Sequence, residues 1–258
     1  MGPKLSIRLW GIINKESQDT INYQIAEQLL LNIFQITDTT SKALAELCHV
    51  SKPSISRFYK ELGYDSYFEF RQDLHQYHAS LDKTSSYQGS RSLGLVHEYL
   101  DKCKKYIDIL EKNMNEIEIN ELVQIIAKSS KVYLMGHLQS GSVALNLQYN
   151  LFTSKKSTHT YVELNQQKEI FSNLTGRECI IVFSASGNFF RDYFEKPMLE
   201  NIPKGSNIYL ITASPEKQNI PRVTQISCGT AIDMAASNVS LELVANMIAL
   251  KYENYISQ

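Results

Sequence analysis

The chain has 258 residues, 43% of them hydrophobic and 21% charged. At about 100–200 residues per domain this allows one large domain or two modest ones, each with a buried core. The 26 Lys/Arg nearly cancel the 27 Asp/Glu, which argues against a generally cationic nucleic-acid coat and leaves a local basic patch open.

The longest apolar runs, such as Cys179 to Phe183, fall far short of the ~18 residues of a membrane span. The first seventeen residues lack the apolar stretch and small-residue cleavage site of a secretory leader. Cys48, Cys103, Cys179 and Cys228 form no Cys-x-x-Cys pair. Reduced, buried thiols in a cytoplasmic protein are therefore expected, with no membrane association.

The first helix is expected from Asn22 to Phe34, where Ile25, Ala26, Leu29, Leu30 and Ile33 recur at helical spacing. Thr39-Thr40-Ser41 then cap a second, Lys42 to Cys48. His49-Val50 makes a tight connection, at a place where glycine is preferred for left-handed backbone. Ser51 caps a third helix that tolerates Pro53 in its first turn and stops at Gly63. Two short helices joined by so short a turn form a helix-turn-helix. Leu44, Leu47, Val50, Ile55 and Phe58 supply its core, and small Ala45 lies where the helices cross.

This arrangement leaves Lys52, Ser54, Ser56, Arg57 and Lys60 facing outward, with no acid between Ser51 and Lys60. Such a helix can enter the major groove of double-stranded DNA. Hydroxyls and Arg57 would face base edges, and the lysines phosphates. Ser51 and Lys52, at the helix N-terminus, would lie beside the DNA backbone. The plainer alternative is a small helical interaction domain with a few exposed cations.

A further helix reaches about Tyr77, and the polar, Ser-rich run after it reads as a linker. The expected organisation is an all-helical domain over residues 1–79, a linker over 80–92 and a second domain over 93–258. Leu93 to Asn113 reads as a long amphipathic helix, and Asn120 as the cap of another ending near Lys128. From Lys131 strands and helices alternate. Strands are expected at 132–135, 158–163, 178–183, 206–212 and 224–228, with helices at about 140–151, 166–174, 190–199 and 235–255. Alternation of this kind implies a three-layer α/β/α domain with a mainly parallel sheet.

Ligands bind such sheets at the carboxyl ends of strands. Two ends here are rich in hydroxyls and small residues: Gly136 to Ser142, and Ser184 to Asn188. In each, backbone N–H groups, the dipole of the following helix and serine hydroxyls can cradle a phosphate without a lysine. Gly136, Ser140, Ser184, Ser186 and Gly187 are the candidate ligand residues, although Ser and Gly are also ordinary strand-to-helix punctuation. For catalysis only His137 and Glu163 come into view, and neither loop holds paired carboxylates. No catalytic residue and no cofactor is assigned. His75 and His78, three apart on a helix, lack the partners of a metal site.

The order of these features resembles the RpiR family of bacterial transcription regulators, over about residues 20–250. The motifs that carry the resemblance are Ile25-Ala26, Lys42-Ala43-Leu44-Ala45-Glu46-Leu47, the run from Val50 to Phe58, Leu62-Gly63-Tyr64, Val132 to Gly136 with Ser140-Gly141, and the IIVFSASG run from Ile180 to Gly187. The last is similar to the family's S-x-S-G loop. The resemblance implies an N-terminal helix-turn-helix domain and a C-terminal sugar isomerase (SIS) domain. It further implies a cytoplasmic homodimer or homotetramer in which a phosphosugar effector alters operator binding. Ser140, Ser184 and Ser186 match positions that contact phosphate in SIS domains. Three positions depart: Leu138 replaces a glycine of the first loop, Phe189 a frequent threonine of the second, and Asn238 a frequent arginine. Two alternatives remain, a DNA-binding regulator whose SIS domain serves only for dimerisation, and, less favoured, a sugar-phosphate isomerase.

Overall fold

The computed structural model describes residues 4–36, 38–84, 95–161, 163–230 and 236–258, without the side chains of residues 4, 80–84 and 95. The chain divides into two compact units, Met1–Ser85 and Ser86–Gln258.

In the first unit five helices follow one another: α1 Lys4–Lys15, α2 Ile21–Leu31, α3 Ser41–Leu47, α4 Lys52–Glu61 and α5 Tyr67–Thr84. Each of the three central helices starts on a hydroxyl cap. The Thr20, Thr40 and Ser51 side chains accept from the backbone N–H groups of Tyr23, Ala43 and Ser54, each cap stabilising its helix by about 1 kcal/mol. The α3–α4 turn places His49 at φ +53°, the left-handed conformation that the tight connection demands. Leu44, Ile55 and Phe58 are buried with Ile25, Leu29, Phe70 and Leu74, and Leu47 and Val50 pack at the edge.

Two features depart from the sequence expectation. Helix α1 is additional, although Leu5, Leu9 and Ile12 recur at helical spacing; Leu5 and Leu9 are fully buried. Helix α5 runs past Tyr77 to Thr84, into the expected linker. Polar composition alone does not end a helix, and between Tyr77 and Gly89 there is neither glycine nor proline. Residues 85–92 of that linker lie outside the described residues.

The second unit begins with α6 Leu95–Asn113 and α7 Glu116–Lys128. Asn115, not Asn120, caps α7, its side chain accepting from the N–H of Ile117. Asn120 lies inside the helix on the exposed side. A parallel sheet follows, built from β1 Lys131–Met135, β2 His159–Tyr161, β3 Glu178–Phe183, β4 Asn207–Thr212 and β5 Val223–Ser227 in the order β2-β1-β3-β4-β5. Between the strands run α8 Gln139–Thr153, α9 Leu164–Ser172, α10 Phe189–Tyr193 and α11 Lys196–Glu200, and α12 Ser237–Ile256 closes the chain.

Side chains alternate across the sheet. Val132, Leu134, Ile181, Phe183 and Ile211 pack against α7, α8 and α12. Met135, Ile180, Val182 and Leu210 face Phe171 of α9 and Phe189, Phe190 and Leu199 of α10 and α11. The result is the expected three-layer α/β/α domain. The expected single helix over 190–199 is instead two. Pro197 cannot donate to the carbonyl four residues back and clashes with it, so the helix breaks at Phe194-Glu195. Because the chain steps from β1 to β2 on one side and reaches β3 on the other, the strand order reverses between β1 and β3. In sheets of this kind the carboxyl ends at such a reversal are where ligands bind.

Candidate nucleic-acid interface and ligand site

Helix α4 is amphipathic in the way an exposed reading helix must be. Ile55 and Phe58 anchor one face; Lys52, Arg57 and Lys60 are exposed on the other, with Ser56 half-buried between them. Glu61, the only acid of the helix, accepts a hydrogen bond from Asn22 at 2.9 Å. Ser54 is not on the outer face. It is 7% exposed, and its hydroxyl lies 2.8 Å from that of Ser51. Position 54 falls one residue from Ile55 and four from Phe58, on the buried side of a 3.6-residue turn. Ser51 is exposed, but its hydroxyl is already engaged in the cap.

Arg8 of α1, which no motif flagged, donates through its guanidinium to the carbonyl of Leu62 at the end of α4. It also lies 5.2 Å from the centre of the Tyr64 ring, whose hydroxyl donates to Asp73 at 2.8 Å. The terminus of the exposed helix is thus tied to both α1 and α5.

In the second unit the two serine-bearing loops leave adjacent strands, β1 and β3. They therefore emerge side by side at the carboxyl end of the sheet. In the first loop Gly136 is obligatory for packing. A Cβ there would lie 2.5 Å from the carbonyl oxygen of Ser140, and the Gly136 carbonyl accepts from the Gln167 side chain. Ser140 is 8% exposed. The N–H groups of Ser140 and Gly141 donate to the carbonyls of His137 and Leu138, so the loop is wound tightly on itself. Leu138, in the N-cap place of α8, is 52% exposed at φ 51°, ψ −123° and caps nothing with its side chain. Asn238 reaches over from α12 and donates to the carbonyl of Gln139 at 2.9 Å.

In the second loop Ser184 and Ser186 are half-buried. The N–H of Ser184 donates to Ile211, and the Ser186 hydroxyl accepts from Asn188. Gly187 takes φ +76° against the Thr212 hydroxyl. Thr212, at the end of β4, donates to the carbonyl of Ala185 and supports this wall from behind.

Phe189 does not stand in the place of a hydroxyl donor facing a ligand. It is 2% exposed, and its ring stacks on the imidazole of His137, centres 5.0 Å apart and planes 20° apart. Tyr193 meets the same imidazole edge-on at 4.6 Å. Both ring nitrogens of His137 are buried without a hydrogen-bond partner, and burial lowers its pKa to about 4. The ring is neutral near pH 7 and has no carboxylate orienting it. Buried Gln167 carries no motif that would mark it in the sequence. It donates to Tyr161 at 2.5 Å as well as to Gly136, while its side-chain oxygen is unpartnered.

Among the described residues no three His, Cys, Asp or Glu side chains are grouped to hold a metal; His75 is exposed, and the His78 ring meets Phe34 at 5.3 Å. Cys48, Cys179 and Cys228 are buried free thiols, Cys103 is half-buried, and burial raises Cys179 and Cys228 to about 12. No described helix is long and apolar enough to cross a membrane.

Residues 13–81 match the model of the helix-turn-helix domain of the rpiR family. The chain is 26% identical over 155 residues to an uncharacterized HTH-type transcriptional regulator of Providencia stuartii, covering 56% of this chain and 53% of that relative. It therefore spans about half the length of that protein. It is 24% identical over 238 residues to the HTH-type transcriptional regulator HexR of Pseudomonas aeruginosa, covering 84% and 83%. Among solved structures, the Vibrio vulnificus NanR protein complexed with ManNAc-6P superposes with a TM-score of 0.51 at 17% identity, covering 98% of this chain and 93% of NanR. A protein of Escherichia coli CFT073 gives 0.50 at 15% identity, covering 65% and 94%. The likeness to both structures is one of fold.

Proposed function

We propose that the chain, whose residues 13–81 match the helix-turn-helix domain model of the rpiR family, is a transcriptional regulator that reads an operator through α4 and senses a phosphosugar in its α/β domain. The observation that carries the reading is the outer face of α4, where Lys52, Arg57 and Lys60 are exposed and the only acid is engaged elsewhere. Arg57 and Ser56 face base edges, Lys52 and Lys60 face phosphates, and Ser51 caps the helix end that lies beside the DNA backbone. Ser54 supports the cap from inside rather than touching DNA.

The effector site is at the two serine loops, with Ser140, Ser184 and Ser186 for a phosphate and Gly136 and Gly187 giving backbone access. NanR, of the same fold, is complexed with ManNAc-6P; this supports a phosphosugar. Both curated relatives are named as regulators. The two serine loops, 136–142 and 184–188, hold no carboxylate to pair with His137, which favours sensing over turnover. The protein is cytoplasmic, with the DNA-binding domain at about residues 1–79 and the effector domain from about 93. Leu145, Tyr149 and Phe152, exposed in one stripe of α8, give that domain an apolar face for a second copy, as a dimer or tetramer requires. An effector then acts by binding unequally to two arrangements of the paired domains.

A second reading, in which the α/β domain is only a dimerisation scaffold, is favoured by the tightly wound first loop and by Leu138. A thermal-shift panel of sugar phosphates, N-acetylmannosamine 6-phosphate among them, separates the two. Stabilisation that disappears in Ser184→Ala and Ser186→Ala supports sensing; no shift with any member supports the scaffold. The DNA arm is fluorescence anisotropy with the DNA upstream of the chain's own gene. Arg57→Ala binding as tightly as the wild type would remove α4 as the reader.

A further inference from the structure

At the amino edge of the sheet, opposite the serine loops, a cleft of about 500 Å³ opens between β1, β2, β3 and the end of α9. Its origin is the shortness of β2, which pairs with β1 only from Tyr133 onward and leaves the start of β1 uncovered. Part of the lining is aromatic: the Tyr133 and Tyr161 rings lie 6.4 Å apart. Leu174 lies in the lining with them. At the mouth stand Lys131 and Arg177, both exposed, with no ion-pair partner among the described residues.

Glu178, also in the lining, is ionised and offsets part of this charge, but it makes no ion pair with either cation. Its buried carboxylate accepts from the N–H groups of Thr175, Gly176 and Arg177 and from the Thr175 hydroxyl. The turn wrapped around this carboxylate takes up its acceptor capacity through backbone and hydroxyl, not through a cation. An adjoining groove of about 380 Å³ shares Arg177 and Ser130 and adds Lys128, a third cation. Glu169, exposed on the rim, offers a carboxylate acceptor.

We propose that this cleft is a second ligand site and that it takes a nucleoside phosphate. A cleft of this volume is of small-molecule size. The aromatic pair offers the face of a base a stacking surface, Lys131 and Arg177 hold the phosphate, and Glu169 accepts from ribose hydroxyls. A simple sugar phosphate leaves the aromatic pair unused, and inorganic phosphate leaves the acceptor unused as well. The assignment does not rest on the function proposed above, since no residue is shared with the serine loops at the other end of the sheet.

The test is calorimetric titration of the full chain with AMP, adenosine, ribose 5-phosphate and inorganic phosphate. AMP is expected to bind at least tenfold tighter than inorganic phosphate or adenosine. Lys131→Ala/Arg177→Ala should weaken AMP at least tenfold, and Tyr161→Ser should weaken AMP while leaving phosphate unchanged. Ser184→Ala/Ser186→Ala should bind AMP like the wild type. All substituted side chains are exposed or half-buried, and circular dichroism verifies folding. The proposal is overturned if AMP does not bind, if the cation variant binds it undiminished, or if the serine variant loses it, which would place the nucleotide at the serine loops.

Discussion

Replacing His137 by leucine removes two buried ring nitrogens that have no partner and keeps a side chain of similar size. An unsatisfied buried polar atom costs about 1–3 kcal/mol. The substitution also removes the ring stacking on Phe189 and Tyr193, worth about 0.5–1.5 kcal/mol for each pair. For two nitrogens and two ring pairs the balance favours leucine by about 2 kcal/mol at pH 7. The pH dependence is sharper. Folding lowers the His137 pKa from 6.5 to about 4, so between these values the unfolded chain binds the proton and the folded chain does not. Stability from this group is intact above pH 6.5 and is lost as pH falls toward 4, by about 3 kcal/mol for a shift of this size. His137→Leu lacks that loss, so its advantage should widen from about 2 to about 5 kcal/mol between pH 7 and pH 4. Urea unfolding of both proteins at pH 7, 5.5 and 4, followed by circular dichroism, measures the difference directly. A leucine variant less stable than the wild type at pH 7, or a difference indifferent to pH, would refute a buried, neutral and unpartnered imidazole.

Three other substitutions have definite expected outcomes. Leu138→Gly should raise the unfolding midpoint by about 2–4 °C, because roughly 1 kcal/mol of strain at a positive φ is relieved while a side chain already half in solvent is removed; a lower midpoint would mean that Leu138 is held by its neighbours. Gly136→Ala should destabilise the α/β domain by about 3 kcal/mol, since its methyl group would run into the Ser140 carbonyl, and a neutral result in thermal unfolding would contradict the loop geometry. Ser51→Ala should cost about 1–2 kcal/mol in chemical unfolding of the helical domain, because it removes the α4 cap and leaves the buried Ser54 hydroxyl without its partner.

What is legible in the sequence is mainly local. The Ser51 cap, the left-handed His49 and the stop at Gly63 each depend on one residue and its immediate neighbours. Strand β3 is legible because a strand covered on both faces reads as an unbroken apolar run, Cys179 to Phe183. The alternation of strands makes a parallel sheet legible, and both serine loops come from strands that turn out to be adjacent. Helix α1 carries its own periodic signal in Leu5, Leu9 and Ile12. Serine content misplaces the start of the linker, because serine is not a helix stop. The residue type of Ser54 suits DNA and suggests an outward position, but its helical phase, between Ile55 and the cap, puts it inside. The His137–Phe189–Tyr193 stack joins residues some fifty positions apart, and the Gln167 bridge and the cleft beside β2 are likewise products of sheet order and strand length. No local pattern encodes them.

The central claim, that α4 is the DNA-reading element, is tested most directly by the salt dependence of binding to the DNA upstream of the gene, measured by anisotropy for the wild type and for Lys52→Ala/Lys60→Ala. Each phosphate contact contributes about 0.9 to the slope of log affinity against log salt concentration. The double variant should therefore lose about 2 units of slope and bind more weakly at every salt concentration. An unchanged slope with unchanged affinity would contradict the assignment and move DNA binding, if there is any, to another surface.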